Sequence, residues 1–377
     1  MSIEFRKVSK EYESNFKAVD DLDITFEDKK LTILIGPSGC GKTTTLKMIN
    51  RLVEPTGGEI LVDGVSQKDI DPIMLRRQIG YVIQEIGLFP HMSVFDNIAV
   101  VPRLLKWDEP RIKKHIYELL DLVNLEPDDF AKKYPAQLSG GQRQRVGVAR
   151  GLASDPKIVL MDEPFGAIDP INREKLQDGF LEIQSKIEKT IVFVTHDIRE
   201  AIKLGDKIAI LDEGKLIQYA GTMEVVNEPA NEFVEDLLGA DRALKGLELL
   251  RVKDNYITDI TKIIDGANGI TIGEAAKTLK DAERKYSFIV DSKGKLKGYV
   301  LLKSLLKKPE DMKLGSELIR KIETIQPHST LMEAMSLMMS SGLSSLPVID
   351  DRNTLLGILR FRDLTNLVSS YSSVAEE

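Results

Sequence analysis

Cysteine is nearly absent: Cys40 is alone, so no intrachain disulfide can form, and the four histidines lack the spacing of a Cys/His metal cluster. The expected setting is reducing and cytoplasmic. A basic excess is missing too. Against 59 Asp and Glu stand 52 Lys and Arg, and the formal charge of −7 provides no global positive field to hold nucleic acid or an anionic bilayer. Long hydrophobic runs are also lacking. The longest, at 158–161, 191–194 and 208–211, have the length of strands, and residues 1–7 carry no apolar block of a signal peptide, so no membrane span of this chain's own is expected. What is plentiful is apolar residues, 42% of 377, enough for two or three folding units each with its own core.

Over the first two thirds, short β-rich runs alternate with helical stretches, the pattern of a layered α/β nucleotide-binding fold. Runs 31–35, 158–161, 191–195 and 208–211 are almost wholly apolar, as strands covered on both faces should be, and are expected to form the central sheet. From Gln84 to about Ala153 the texture becomes charged and amphipathic, for example at 109–123, which predicts a helical insert with Trp107 at its start. A different unit begins near Gly246 and repeats itself. Glu274 and Ala275, Asp291, Leu296, Gly298 and Leu305 recur 59 positions later as Glu333 and Ala334, Asp350, Leu355, Gly357 and Leu364. Each copy reads helix, strand, turn, strand, helix, and so short a unit is expected to pack against its twin.

Gly36, Pro37, Ser38, Gly39, Cys40, Gly41, Lys42 and Thr43 follow the 31–35 run and precede a helical stretch beginning at Thr44. This is the context of a phosphate-binding loop: the glycines let successive N–H groups converge on phosphate oxygens, and the helix N-terminus adds its positive end. Lys42 would reach the β- and γ-phosphates and the Thr43 hydroxyl would ligate Mg²⁺. The apolar run at 158–161 ends in Asp162 and Glu163. A phosphoryl-transfer site needs such acids there, Asp162 to orient the Mg²⁺ shell through water and Glu163 to polarise the attacking water. Ser139, Gly140, Gly141 and Gln142 form a second backbone-rich loop opening a helix.

With these residues the chain resembles the ATPase subunits of ABC transporters over about residues 1–240, with the helical subdomain at about 85–153. The resemblance implies an α/β fold, ATP and Mg²⁺ as cofactors, and two ATP molecules clamped between the subunits of a head-to-tail homodimer. It also implies that Ser139, Gly140, Gly141, Gln142 and the loop residue Asp169 complete the partner's site. Tyr12 would stack on adenine, Thr44 would line the phosphate loop, Gln84 would touch both Mg²⁺ and water, and His196, closing the 191–195 strand, would contact the γ-phosphate. ATP bound against the loop would shield Cys40 from alkylation. Leu88, Phe89 and Met92 either belong to the core or form a groove for a helix of a membrane subunit.

Residues 86–94, 97–102 and 195–206 look most like importers of quaternary ammonium osmoprotectants, namely glycine betaine, carnitine and choline. Leu346 to Asp350 and Gly357 to Asp363 resemble a CBS-domain pair, an α+β module expected at 250–310 and 311–371. Such pairs imply an adenine nucleotide or cyclic di-AMP, with Arg360, Arg362 and Asp363 as ligand contacts; Ser304 stands where the first copy would carry the equivalent Asp. The competing role for the module is ionic-strength sensing. The implied partners are transmembrane permease subunits and, indirectly, an extracellular binding protein, with the chain peripheral on the cytoplasmic face of the membrane. Alternatives are an importer for methionine or a sulfonate, and a soluble ABC ATPase outside transport.

Overall fold

A computed structural model describes residues 1–13, 16–83, 87–166, 170–239, 241–258, 262–265 and 269–372. Two compact units divide the chain, residues 1–239 and 240–377.

The first unit is built on a six-stranded sheet in the order Lys215–Gly221, Lys207–Asp212, Leu31–Ile35, Thr190–Val194, Ile158–Asp162, Ile79–Val82. All neighbours run parallel except the first pair. The three middle strands are buried along their whole length, which is why their sequences lack alternation. Four of these strands were legible as apolar runs; the edge strand Lys215–Gly221 carries only one fully buried residue and is masked by its polar content.

A second, antiparallel sheet orders Phe16–Phe26, Ile3–Tyr12, Gly57–Val62 and Val65–Ser66. Its inner side chains, among them Ile3, Phe5, Leu22 and Phe26, share one core with Leu34, Leu160, Val192 and Leu211 of the first sheet. Sequence reasoning did not foresee this layer. Three register shifts interrupt the pairing of its two long strands and break the period-two pattern.

The insert is helical from Val94, with helices Val94–Leu104, Glu109–Leu122, Pro127–Phe130 and Gly140–Leu152. Trp107 therefore does not begin the insert; it lies in the joint between the first two helices, its ring under the Arg111 guanidinium at 3.8 Å and beside His115. His115 is partly buried in this stack.

In the second unit the 59-residue repeat is a structural one. Helices Ile272–Asp281 and Leu331–Ser341 start with the same capping box, Thr271 with Glu274 and Thr330 with Glu333. Asp291 and Asp350 each accept two backbone N–H bonds across the following strand turn. Gly357 leaves room for the Tyr256 ring, which a Cβ there would meet at 2.3 Å. The copies join through equivalent bonds, Leu296 N–H to Asn353 O and Leu355 N–H to Gly294 O, both within 3.0 Å. They share a small core of Phe288, Val290, Leu355 and Ile358.

Candidate active site

Parallel strands in register bring the chemistry to one edge. Leu34 lies opposite Val194, Val194 opposite Asp162, and Met161 opposite Val82. The residues that follow these positions therefore emerge side by side at the carboxyl ends of the strands, where open α/β sheets place ligands. The phosphate loop, Asp162, Glu163 and His196 come together in this way, the loop lying more than 100 residues before the others.

The loop is shaped by its glycines. Gly41 has φ 102°, and a Cβ there would meet the Ala18 carbonyl oxygen at 2.2 Å, so the antiparallel sheet presses directly against the loop. Lys42 starts the helix Lys42–Ile49 and is 7% exposed. Its Nζ donates to the carbonyls of Gly36 at 2.7 Å and Pro37 at 2.8 Å, which holds the ammonium inside the loop. Tyr12 ends its strand 42% exposed, with Lys10 Nζ over its ring at 5.1 Å from the centroid.

The Thr43 hydroxyl donates to Asp162 Oδ1 at 3.0 Å. Burial pushes the Asp162 carboxyl above its ordinary range, while the Thr43 bond, Lys47 and Lys42 pull it down and Glu163 raises it. Two hard oxygen donors beside a costly buried carboxyl fit a divalent cation such as Mg²⁺. Asp162 also helps to push the Tyr81 phenol up to about 12, mainly through burial. Glu163 adopts a left-handed backbone, φ 42°, and its N–H donates to Val194 O at 3.0 Å. That conformation costs about 1–3 kcal/mol. Glu163 Oε2 lies 3.3 Å from His196 Nδ1, and the imidazole is 63% exposed.

Cys40 is buried within the loop, where its Sγ accepts from Lys42 Nζ at 3.7 Å. It is 3% exposed, and burial raises its thiol pKa against the opposing pull of Lys42. The sequence suggested that ATP shields this thiol; the structure shows it already covered. Iodoacetamide at neutral pH should label Cys40 slowly in the folded protein with or without ATP, and rapidly in denaturant. Fast labelling of the folded chain that ATP suppresses would place the thiol on the phosphate side instead.

The Ser139 turn is preformed but separate. Ser139 caps the helix Gly140–Leu152, accepting the Gln142 N–H at 3.3 Å while Gln142 Oε1 accepts the Ser139 N–H at 2.9 Å. Ser139 and Gly140 are exposed, and no described residue comes within 4 Å of a Cβ built on Gly140. The exposed start of this helix presents its positive end to solvent, where an anion can approach. Gln84 and Asp169 lie outside the described residues. Of the apolar stretch after Gln84, the Phe89 ring is 41% exposed, whereas buried Asn97 binds the backbone of Phe89 and Met92 and holds their loop in shape. Sequence reasoning missed Asn97, Thr195 and Glu200; a polar residue within an apolar helix face or strand end was the only signal.

The fold and this constellation define an ABC-type ATPase. The ABC transporter family profile matches residues 19–166, and the CBS domain profile matches 316–370. The glycine betaine/carnitine/choline transport ATP-binding protein OpuCA of Bacillus subtilis is 42% identical over 374 residues, 99% of this chain and 97% of that protein. The osmoprotectant import ATP-binding protein OsmV of Salmonella typhimurium is 44% identical over 340 residues, 89% of this chain and 87% of its own. A dimeric ATP-binding cassette in a post-hydrolysis state with ADP and Pi superimposes with a TM-score of 0.52 at 33% identity, covering 58% of this chain and 98% of that one. The chain belongs to the family of ABC transporter ATP-binding proteins that also carry a CBS domain.

Proposed function

We propose that this ATPase powers an importer of quaternary amine compatible solutes, glycine betaine, carnitine or choline, in osmoprotection. It would work as a homodimer on the cytoplasmic face of the membrane, docked on permease subunits that an extracellular binding protein supplies. Relatives similar over nearly the whole chain carry those transport names, which favours this solute class over methionine or a sulfonate. The exposed Phe89, on a loop braced by Asn97, is suited to receive a permease helix, with Leu88 and Met92 beside it.

The 3.3 Å approach of Glu163 to His196 at the strand ends carries the mechanistic reading. Tyr12 stacks on adenine, and the backbone of Gly36 to Thr44 with the Lys42 ammonium cradles the triphosphate. Thr43, Gln84 and, through water, Asp162 would hold Mg²⁺, which would supply positive charge to offset that of the phosphates. Glu163 accepts a hydrogen bond from the attacking water, and His196 contacts the γ-phosphate while its Nδ1 faces Glu163. Ser139, Gly140, Gly141, Gln142 and Asp169 of the opposite protomer close the site, so ATP joins the dimer and hydrolysis releases it.

The second unit acts as a regulator in this reading, with cyclic di-AMP or an adenine nucleotide as ligand. Asp363 Oδ2 is buried without a hydrogen-bond partner among the described residues, and Arg362 Nε lies 3.5 Å from Asp363 Oδ1 with its side chain 72% exposed. Arg362 and Arg360 can meet phosphates there. In proteoliposomes holding the permease and binding protein, glycine betaine, carnitine or choline should stimulate ATP hydrolysis. Stimulation by methionine or an alkanesulfonate alone would overturn the solute assignment. Cyclic di-AMP added to the same vesicles should change the stimulated rate; an unchanged rate together with a dependence on salt would favour ionic-strength sensing.

A further inference from the structure

A second buried carboxylate lies one helical turn beyond His196, and no step above uses it. Glu200, in the helix Ile198–Leu204, is 5% exposed. Its Oε2 accepts the Thr195 hydroxyl at 2.6 Å, and its Oε1 accepts the Gln177 amide at 3.1 Å. Both donors are buried, so the carboxylate is satisfied by protein groups in a place where an unmet charge would be costly. The same Thr195 hydroxyl accepts the backbone N–H of Asp197 at 3.0 Å. One hydroxyl thus clasps the chain on both sides of His196, and Glu200 grips that hydroxyl.

Gln177 belongs to another element, the helix Pro170–Lys186, which begins directly after Asp169. Two ion pairs join the same two segments, Arg173 with Asp197 at 3.8 Å and Asp178 with Lys203 at 2.7 Å. Exposed pairs of this kind contribute little alone. The buried Gln177–Glu200–Thr195 chain is the link that fixes geometry, because its partners cannot exchange for water.

We infer that Glu200 is a positioning residue for ATP hydrolysis: through Thr195 it sets the His196 turn against Glu163, and through Gln177 it ties that turn to the helix following Asp169. The inference rests on the role proposed above for His196. Positioning errors of about 1 Å cost about 10²-fold in rate, whereas ATP affinity comes from the phosphate loop, which Glu200 does not touch.

The test compares the full chain with Glu200→Ala, Thr195→Val, Thr195→Ser and His196→Ala, reading kcat, KM, ATP affinity and Tm for each. Glu200→Ala and Thr195→Val should lower kcat about tenfold or more with ATP affinity changed less than about twofold. Thr195→Ser, which keeps the hydroxyl, should recover most of what Thr195→Val loses. If Glu200→Ala fails to fold, the valine and serine pair decides. Native kcat in Thr195→Val and Glu200→Ala beside a slow His196→Ala would overturn the inference and leave the His196 reading standing. So would a parallel fall of kcat, ATP affinity and Tm without rescue by serine. A native kcat in His196→Ala would overturn the His196 role, and this inference with it.

Discussion

Glu163→Gln should reduce ATP turnover by about 10²-fold or more while ATP binding stays within about twofold of the native protein. The substitution keeps size and hydrogen-bonding shape but removes the charge that orients water and faces His196 Nδ1 at 3.3 Å. The phosphate cradle is untouched, since Lys42 takes its contacts from Gly36 and Pro37 and Thr43 takes its contact from Asp162. Single-turnover hydrolysis and equilibrium nucleotide binding on the same preparation separate the two effects. A native hydrolysis rate would remove Glu163 from the catalytic role.

Mixing two dead variants should restore activity. Lys42→Ala removes the ammonium that meets the triphosphate and leaves two loop carbonyls without their donor. Gly141→Asp puts a negative charge beside the Ser139 turn, where it repels phosphate yet suits the helix start that carries it. Among the described residues a Cβ at Gly141 meets only the Leu176 methyls, at 3.5 Å or more, so the fold should tolerate it. Each homodimer lacks one component from both of its sites. In a mixed dimer one site has both components intact and the other has neither. Random exchange should therefore recover about one quarter of native turnover if the sites act independently. No recovery, with mixed dimers demonstrated by differential tagging, would mean that the Ser139 turn and the phosphate loop serve the same chain.

Much of the site could be read from local pattern. The loop from Gly36 to Thr43 and the acids Asp162 and Glu163 are contiguous in sequence, and their chemistry depends on a strand ending where they begin. Glu200 is different. Nothing near it marks a buried acid, because its partners are Thr195, on the strand side of His196, and Gln177, on a helix 23 residues earlier. Cys40 differs in the opposite sense: membership in the loop suggested a thiol that bound ATP would shield, but tertiary packing already buries it beside Lys42 Nζ.

The sequence by itself determined the apolar strands, the loop chemistry, the helical insert and the 59-residue repeat, since each follows from neighbours a few positions apart or from a fixed offset. Only tertiary structure decided the antiparallel sheet, the register that aligns Leu34, Val194 and Asp162, and the clasp that joins His196 to a distant helix. The physical reason is that strand order and buried polar pairing are settled by which surfaces exclude water together, and that selection acts between segments remote in sequence.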